Sequence, residues 1–125
     1  MSSYLLFFDS ETGGLNPKTH DMLTLYMAIV EEDTFKVVDE IDLKLKPDGG
    51  RLPIADEAAL KINGIDLKEH LANTLTITYS DANKEVVLFL KKYLKKRGRY
   101  SNIRPAGQNI QFDIDFVQEY VMPRD

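Results

Sequence analysis

The stretch that most limits what this chain can become is Tyr4–Asp9, YLLFFD. Adjacent leucines and adjacent phenylalanines put apolar side chains on both faces of an extended segment. Such a segment reads as a buried, central strand rather than a half-solvated one. It ends on charge: Asp9 and Glu11 flank Ser10, and Thr12, Gly13, Gly14, Leu15, Asn16 and Pro17 follow at once. In a strand, residues i and i+2 share a face, so Asp9 and Glu11 can converge while Ser10 points away. Two close carboxylates raise each other's pKa unless a cation lies between them. Magnesium and manganese, which take carboxylate and water oxygens, suit that position. Glycines at 13 and 14 free the backbone to turn and to let a substrate come close. Taken alone, Asp-x-Glu also marks many solvated turns.

The other elements fit around that strand. Met22–Val30 is apolar and partly β-branched. Phe35–Leu45 alternates, with Val37, Asp39, Ile41, Leu43 and Leu45 on one face, as a half-buried strand does. Glu31, Glu32 and Asp33 suit a hairpin loop between the two. Ile54–Ile62 reads as a short helix stopped at Asn63–Gly64. Asp66 with Glu69 has capping-box spacing for a second helix to about Ala72. Leu75–Tyr79 fits a short strand or an extended connection. Ser80 or Asp81 can cap a longer helix with Val86, Leu90, Tyr93 and Leu94 on its buried face, ending at Gly98. Ile103–Gln108 reads as a strand, with Pro105 tolerable near its start. Ile110–Val121 reads as a final helix closed by Pro123. Three strands, helices, a strand and a helix point to an α/β or α+β fold. An antiparallel three-strand meander followed by helix-connected parallel strands is the ribonuclease H-like pattern.

With 125 residues, one domain is expected over 1–125. Hydrophobic residues at 43% and charged residues at 29% describe an ordered globular chain. There is no cysteine, which excludes disulfides and thiolate metal sites and makes a cytoplasmic setting the expectation. The apolar run at 4–8 is too short for a signal peptide, and no stretch approaches the ~20 apolar residues of a membrane helix. The chain is therefore expected to be soluble, with no membrane association. Net charge is −4, yet Lys91, Lys92, Lys95, Lys96, Arg97, Arg99 and Arg104 crowd one region without an acid among them. That strip is either a nucleic-acid contact or a solvated helix face stabilising a C-terminus.

A second acidic motif raises the weight of the first. Residues 107–117 read GQNIQFDIDFV, with Asp113 in the first turns of the last helix. In α/β sheets, ligands sit at the carboxyl ends of parallel strands. If the strand before this helix lies beside Tyr4–Asp9, Asp113 is brought toward Asp9 and Glu11.

FFDSETGGLNP resembles the first motif of the DEDD 3′–5′ exonucleases, the proofreading and ribonuclease T-like group. GQNIQFDIDFV resembles their second motif, Gly-x-Asn-x-x-Phe-Asp-x-x-Phe. ADEAALKINGI, between them, is similar to the family's helix ending in Gly-Ile. The resemblance spans nearly the whole chain, in order. It implies a metal-dependent exonuclease that releases nucleoside 5′-monophosphates from the 3′ end of DNA or RNA by a two-metal mechanism. Asp9, Glu11 and Asp113 would be the catalytic and metal-binding acids, holding two Mg²⁺ or Mn²⁺ ions. Leu15 matches the residue that wedges against the terminal base. Thr12 and the backbone of Gly13 and Gly14 match positions contacting the terminal nucleotide. Asn109, Phe112 and Phe116 match positions that build the site wall or pack beneath it. Asp115 has no counterpart among the metal ligands and reads as an exposed helical acid.

The family has a third motif, His-x-x-x-x-Asp or Tyr-x-x-x-Asp, with a fourth acid and a group that handles the water. Neither His20 nor His70 fits it, and both read as exposed polar residues. Tyr120 and Asp125 have the spacing of the histidine form but follow Asp113 too soon. The resemblance thus leads us to expect a C-terminally truncated domain, lacking a last strand and helix, with a weakened metal site. The expected partner is a single-stranded or 3′-terminal nucleic acid, together with a polymerase or a second chain that completes the site. The alternative is a non-catalytic nucleic-acid-binding or assembly module with an incomplete metal site.

Overall fold

The computed structural model describes residues 3–97, 100–107 and 110–122. Strand β1 (Tyr4–Thr12) is followed by β2 (Met22–Glu31) and β3 (Val37–Lys46). Helices α1 (Glu57–Asn63) and α2 (Leu67–Ala72) lead to a short β4 (Thr76–Thr78) and the longer α3 (Tyr79–Lys91). The two-residue strands β5 (Lys96–Arg97) and β6 (Tyr100–Ser101) form a hairpin. Strand β7 (Ile103–Ala106) and helix α4 (Ile110–Tyr120) complete the order.

Five strands make one mixed sheet in the order β4-β3-β2-β1-β7. β1, β2 and β3 are an antiparallel meander, while β4 runs parallel to β3 and β7 parallel to β1. This is the α/β, ribonuclease H-like arrangement expected from the sequence. β1 is flanked on both sides, as its apolar run requires. The carboxyl ends of β1, β3, β4 and β7 all lie along one edge of the sheet.

Helices α3 and α4 cover one face. Tyr79, Ala82, Val86 and Phe89 of α3, with Phe116 and Val117 of α4 and Val121 just beyond, pack on Leu6, Met22, Leu25, Met27, Ile29 and Leu45 from the sheet. Several of these side chains are fully enclosed, so each contributes on the order of 1.5–3 kcal/mol by leaving water.

The element boundaries differ from the expected ones for local reasons. β1 runs three residues past Asp9, through both acids, with a bulge between Glu11 and Thr12. The first helix starts at Glu57 rather than Ile54, because residues 54–56 are extended and bonded elsewhere: the Ile54 carbonyl accepts from the Asp21 N–H, and the Asp56 N–H donates to the Gly13 carbonyl. Gly64 ends this helix in the left-handed conformation (φ 68°), as expected. Asp66 caps α2 by accepting from the Lys68 and Glu69 amides, also as expected. The ambiguous stretch near 75–79 forms β4. Thr78, rather than Ser80 or Asp81, caps α3.

The expected end of that helix at Gly98 lies outside the described residues, and the helix itself already stops at Lys91. The buried Asn102 causes the stop. Its side chain accepts from the Lys95 N–H at 2.6 Å and donates to the Tyr93 carbonyl at 2.7 Å, taking backbone groups a continuing helix would use. Pro105 sits in β7, at the sheet edge, where a missing donor is tolerated. Pro123 lies outside the described residues. Among the described residues no helix is long and apolar enough to cross a membrane.

Candidate nucleic-acid processing site

The tip of β1 carries the candidate residues on two opposite faces. Asp9 and Glu11 share the face that α3 and α4 leave open. They line a cleft of about 410 Å³ with Thr24, Tyr26, Asp42, Lys44, Asn63 and Ile65. The strand register places Tyr26 and then Asp42 beside Asp9, and Thr24 and then Lys44 beside Glu11. Asp9 is exposed and Glu11 half-buried. Glu11 Oε2 is enclosed and has no hydrogen-bond partner among the described residues. Burial first, and then the charge of Asp9, push the Glu11 carboxyl above its ordinary range.

Asp113 comes to the same strand tip but from the other side. Ser10 Oγ donates to Asp113 Oδ1 at 2.5 Å. Ser10 does point away from Asp9 and Glu11, as the pleat requires, and it is Ser10 that the last helix meets. The topology brings Asp113 near enough for the charge of Asp9 to act on it. Burial raises its pKa most and Asp9 adds to that, against the lowering effect of the hydrogen bonds from Ser10. The closed triad of carboxylates expected from the motifs is not formed: among the described residues no three or more Asp, Glu or His are gathered as a metal-holding group.

Beyond Glu11 the chain turns through residues 12–16. Gly13 has no room for a side chain, since a Cβ there would stand 2.4 Å from the Ile54 carbonyl oxygen. At Gly14 a Cβ would collide with the His20 ring at 2.5 Å. These glycines serve close packing of protein on protein, a different use from the open approach expected of them. The Gly13 N–H donates to the Asp21 carbonyl and its own carbonyl accepts from Asp56, so its backbone groups are occupied. The Thr12 hydroxyl is buried and donates to the Gly14 carbonyl at 2.6 Å.

This turn forms one side of a second cleft, also about 410 Å³, bordered by Ser10, Gly14, Leu15, Ala59, Ile62, Asn63 and Phe112. Leu15 and Ile62 are 82% and 85% exposed at its rim, the most exposed large hydrophobic side chains among the described residues. Phe112 packs against Phe116 with ring centroids 4.9 Å apart, and Phe116 is wholly buried beneath. Asn63 borders both clefts and donates to the Thr12 carbonyl at 3.0 Å. Asn109 lies outside the described residues.

Sequence reasoning missed Asp21. It is 1% exposed, yet fully partnered. Arg51 donates to both its oxygens, at 2.9 and 2.8 Å, the Ile54 N–H donates at 2.6 Å, and the Tyr79 hydroxyl at 3.2 Å. Burial pushes this carboxyl up, but the bonds from Arg51 and Ile54 outweigh it and hold it below its usual range. No local pattern links residues 30 apart in sequence, so only a lone Arg in a Gly-rich loop hinted at it.

The histidines are not the exposed residues expected. His70 is buried and its Nε2–H donates to the Leu45 carbonyl at 2.7 Å. His20 accepts at Nδ1 from the Asn16 N–H and meets Asp56 through Nε2 at 3.1 Å. The Tyr120 hydroxyl donates to the Pro17 and His20 carbonyls, which ties α4 to the turn. Asp125, its suggested companion, lies outside the described residues. The described side chains of the basic strip lie at the other end of the sheet. There Lys92 faces Asp39 and Arg104 pairs with Glu32.

The acid pair fits one divalent cation. Asp9 and Glu11 offer hard oxygen donors, and the enclosed, unpartnered Glu11 oxygen is the kind of atom an ion satisfies. Asp113, held by Ser10, is not directed to the same point.

No family model matches the chain. It is 23% identical over 120 residues to an oligoribonuclease of Tropheryma whipplei (strain Twist), covering 95% of this chain and 61% of that protein. In structure it is similar to E. coli exonuclease I. In complex with a 5cy-dT13 oligonucleotide that enzyme superposes with a TM-score of 0.72 at 20% identity, over 94% of this chain and 23% of the other. Its metal-free single-stranded DNA complex gives 0.71 over 93% of this chain, and an apo exonuclease I structure 0.67 over 94%. The chain thus spans about three fifths of the length of the oligoribonuclease and about a quarter of exonuclease I. Fold and sequence together support the resemblance read from the motifs: the chain carries the exonuclease I fold over nearly all its length and is similar in sequence to an oligoribonuclease.

Proposed function

We propose that this chain is a 3′–5′ exonuclease-type domain that binds the 3′ end of a single strand of nucleic acid and hydrolyses its terminal phosphodiester bond with divalent-ion help. One observation carries the reading. A carboxylate pair, the exposed Asp9 and a Glu11 with one enclosed, unpartnered oxygen, stands at the tip of the central strand, next to a turn that exposes Leu15 beside an apolar cleft. Nothing in a purely structural strand end needs both at once.

In this reading Asp9 and Glu11 hold the ion. A divalent ion bound there would supply a more acidic water and neutralise charge on the phosphate. Leu15 and Ile62 offer apolar edges to the terminal base, and Phe112 a wall. Thr12 and Gly13 act through the shape of the turn, since the Thr12 hydroxyl and both backbone groups of Gly13 are engaged within the protein, and Gly14 gives its carbonyl to Thr12. Phe116 supports Phe112 from below. Asp113 is the candidate for a second, water-mediated contact once the Ser10 bond is exchanged.

A second reading has its own support. Asp113 is bonded to Ser10, and among the described residues no three acids are gathered as a metal-holding group. That favours a chain that binds a 3′ end and relies on further protein, in cis or from a polymerase or second copy, for cleavage. A 5′-labelled single strand with Mn²⁺ separates the two. Stepwise shortening from the 3′ end supports the exonuclease. Binding without shortening supports the module, and absence of both removes the proposal. Deoxy- and ribo-oligonucleotides are compared side by side, since a 2′-hydroxyl contact decides between them.

A further inference from the structure

Asp21 is a buried carboxylate in a molecule whose other acids are mostly solvated, and its bonds converge on the two segments that make up the cleft. Arg51 reaches it with both terminal nitrogens. The Ile54 N–H donates to its side chain, and its own N–H donates to the Ile54 carbonyl at 2.9 Å. The Asp21 carbonyl accepts from Gly13 at 2.8 Å, and the Gly13 carbonyl accepts from Asp56 at 2.7 Å. Residues 51–56 belong to no helix or strand, so these bonds are what hold them. Gly13 rests directly on Ile54 and Ala55, with no space for a methyl group. One residue on from Asp56 begins α1, which carries Ile62 and Asn63. Two residues on from Gly13 is Leu15.

We propose that the Asp21–Arg51 pair is a positioning device for the cleft. By locking residues 13–15 onto residues 54–56 it sets the gap between Leu15 and Ile62, and so the fit of a 3′-terminal nucleotide. This rests on the proposed function. Asp21 and Arg51 are positioning residues, since neither borders the clefts. The Arg51 side chain is half exposed, so the pair can be loosened from outside without emptying the core. Tyr79 secures the inner end, donating to both Asp21 and the Met22 carbonyl.

The experiment uses the full chain with Arg51→Met and Arg51→Lys, and reads two things. Hydrogen exchange follows the amides of Gly13, Ile54 and Asp56 against those of Met27 and Ile29 in β2. Fluorescence anisotropy follows a labelled single strand ending in a 3′-hydroxyl and the same strand blocked by a 3′-phosphate, with Ca²⁺ present. Wild type is expected to prefer the 3′-hydroxyl end. Arg51→Met should lower protection only at 13, 54 and 56 and cut that preference about tenfold, with Arg51→Lys recovering part of it. If wild type shows no preference for a 3′-hydroxyl end, the functional reading fails and the inference goes with it. If wild type shows the preference and Arg51→Met keeps it, the functional reading stands and the positioning role is overturned. Equal loss of protection in β2 would reduce the pair to general stability and likewise overturn it.

Discussion

The two faces of β1 treat their polar residues in opposite ways. On the helix-covered face, Ser10 and Thr12 are satisfied within the protein, by Asp113 and by the Gly14 carbonyl. On the open face, Asp9 and Glu11 stand one residue away from those bonds, and Glu11 keeps an enclosed oxygen with no partner among the described residues. Both faces belong to the same nine-residue strand. The covered face is complete as folded, while the open face is left in a state that a cation would relieve. A strand tip can therefore serve packing and binding at once, because the pleat separates the two by a single residue.

The contrast can be broken most sharply at Asp9. Asp9→Asn should abolish Mn²⁺ binding measured by calorimetry, whereas Asp113→Asn should weaken it only modestly. Equal loss in the two variants would mean that Asp113 joins the acid pair when an ion binds. Next in size is the anchoring behind the turn. Asp21→Ala should cost about 2–3 kcal/mol in urea unfolding, less than the ~3–5 of a fully buried ion pair, because the half-exposed Arg51 can be rehydrated. No change would show that the turn is held by packing alone.

A smaller effect concerns pH. Glu11 and Asp113 have raised carboxyl pKa values in the folded chain, so folding favours their protonated forms. Without divalent ions, their contribution should fall away as pH rises from the ordinary carboxylate range through the raised values. Asp21 works in the opposite sense, with its lowered pKa: its contribution is full above the ordinary carboxylate range and is lost as pH falls through the depressed value. Glu11→Gln should therefore melt higher than wild type at neutral pH and no higher at acidic pH, and added Mn²⁺ should close the gap by stabilising wild type alone. A Glu11→Gln advantage that is the same at every pH would place the burden on packing.

The smallest effect is expected far from this strand tip. Lys91→Glu with Lys95→Glu should leave binding to a short 3′-terminal strand nearly unchanged. For a longer strand that reaches the strip, the slope of log affinity against log salt concentration should become shallower by about 0.7 per phosphate contact removed. A large loss with the short strand would place the nucleic acid along the opposite edge of the sheet from the carboxylates.

Much of this was legible beforehand because it depends on short-range rules. Apolar residues on both faces of Tyr4–Asp9 demanded a flanked strand. Gly64 and Asp66 announced the end of α1 and the start of α2 through backbone conformation and capping, which act over a few residues. The end of α3 was misread for the converse reason. Val86 through Leu94 keep a helical rhythm, but the side chain of Asn102 captures the backbone at residues 93–95, and nothing at those positions foretells it. Asp21 and Arg51 escaped notice in the same way, their contact being made across 30 residues.

The chain's own order of residues settled which groups could meet: a central strand ending in two acids, a turn too tight for side chains, and an aspartate opening the last helix. Alternation along a strand and spacing along a helix are local geometry, so they can be read in advance. Which groups do meet was left to the packing. The helix that carries Asp113 approaches β1 from the covered face and meets Ser10. The loop at 51–56 folds back onto Gly13 through a buried charge pair. These outcomes depend on how elements far apart in sequence share volume, exclude water and satisfy every buried polar group together, conditions that no single stretch of the chain contains.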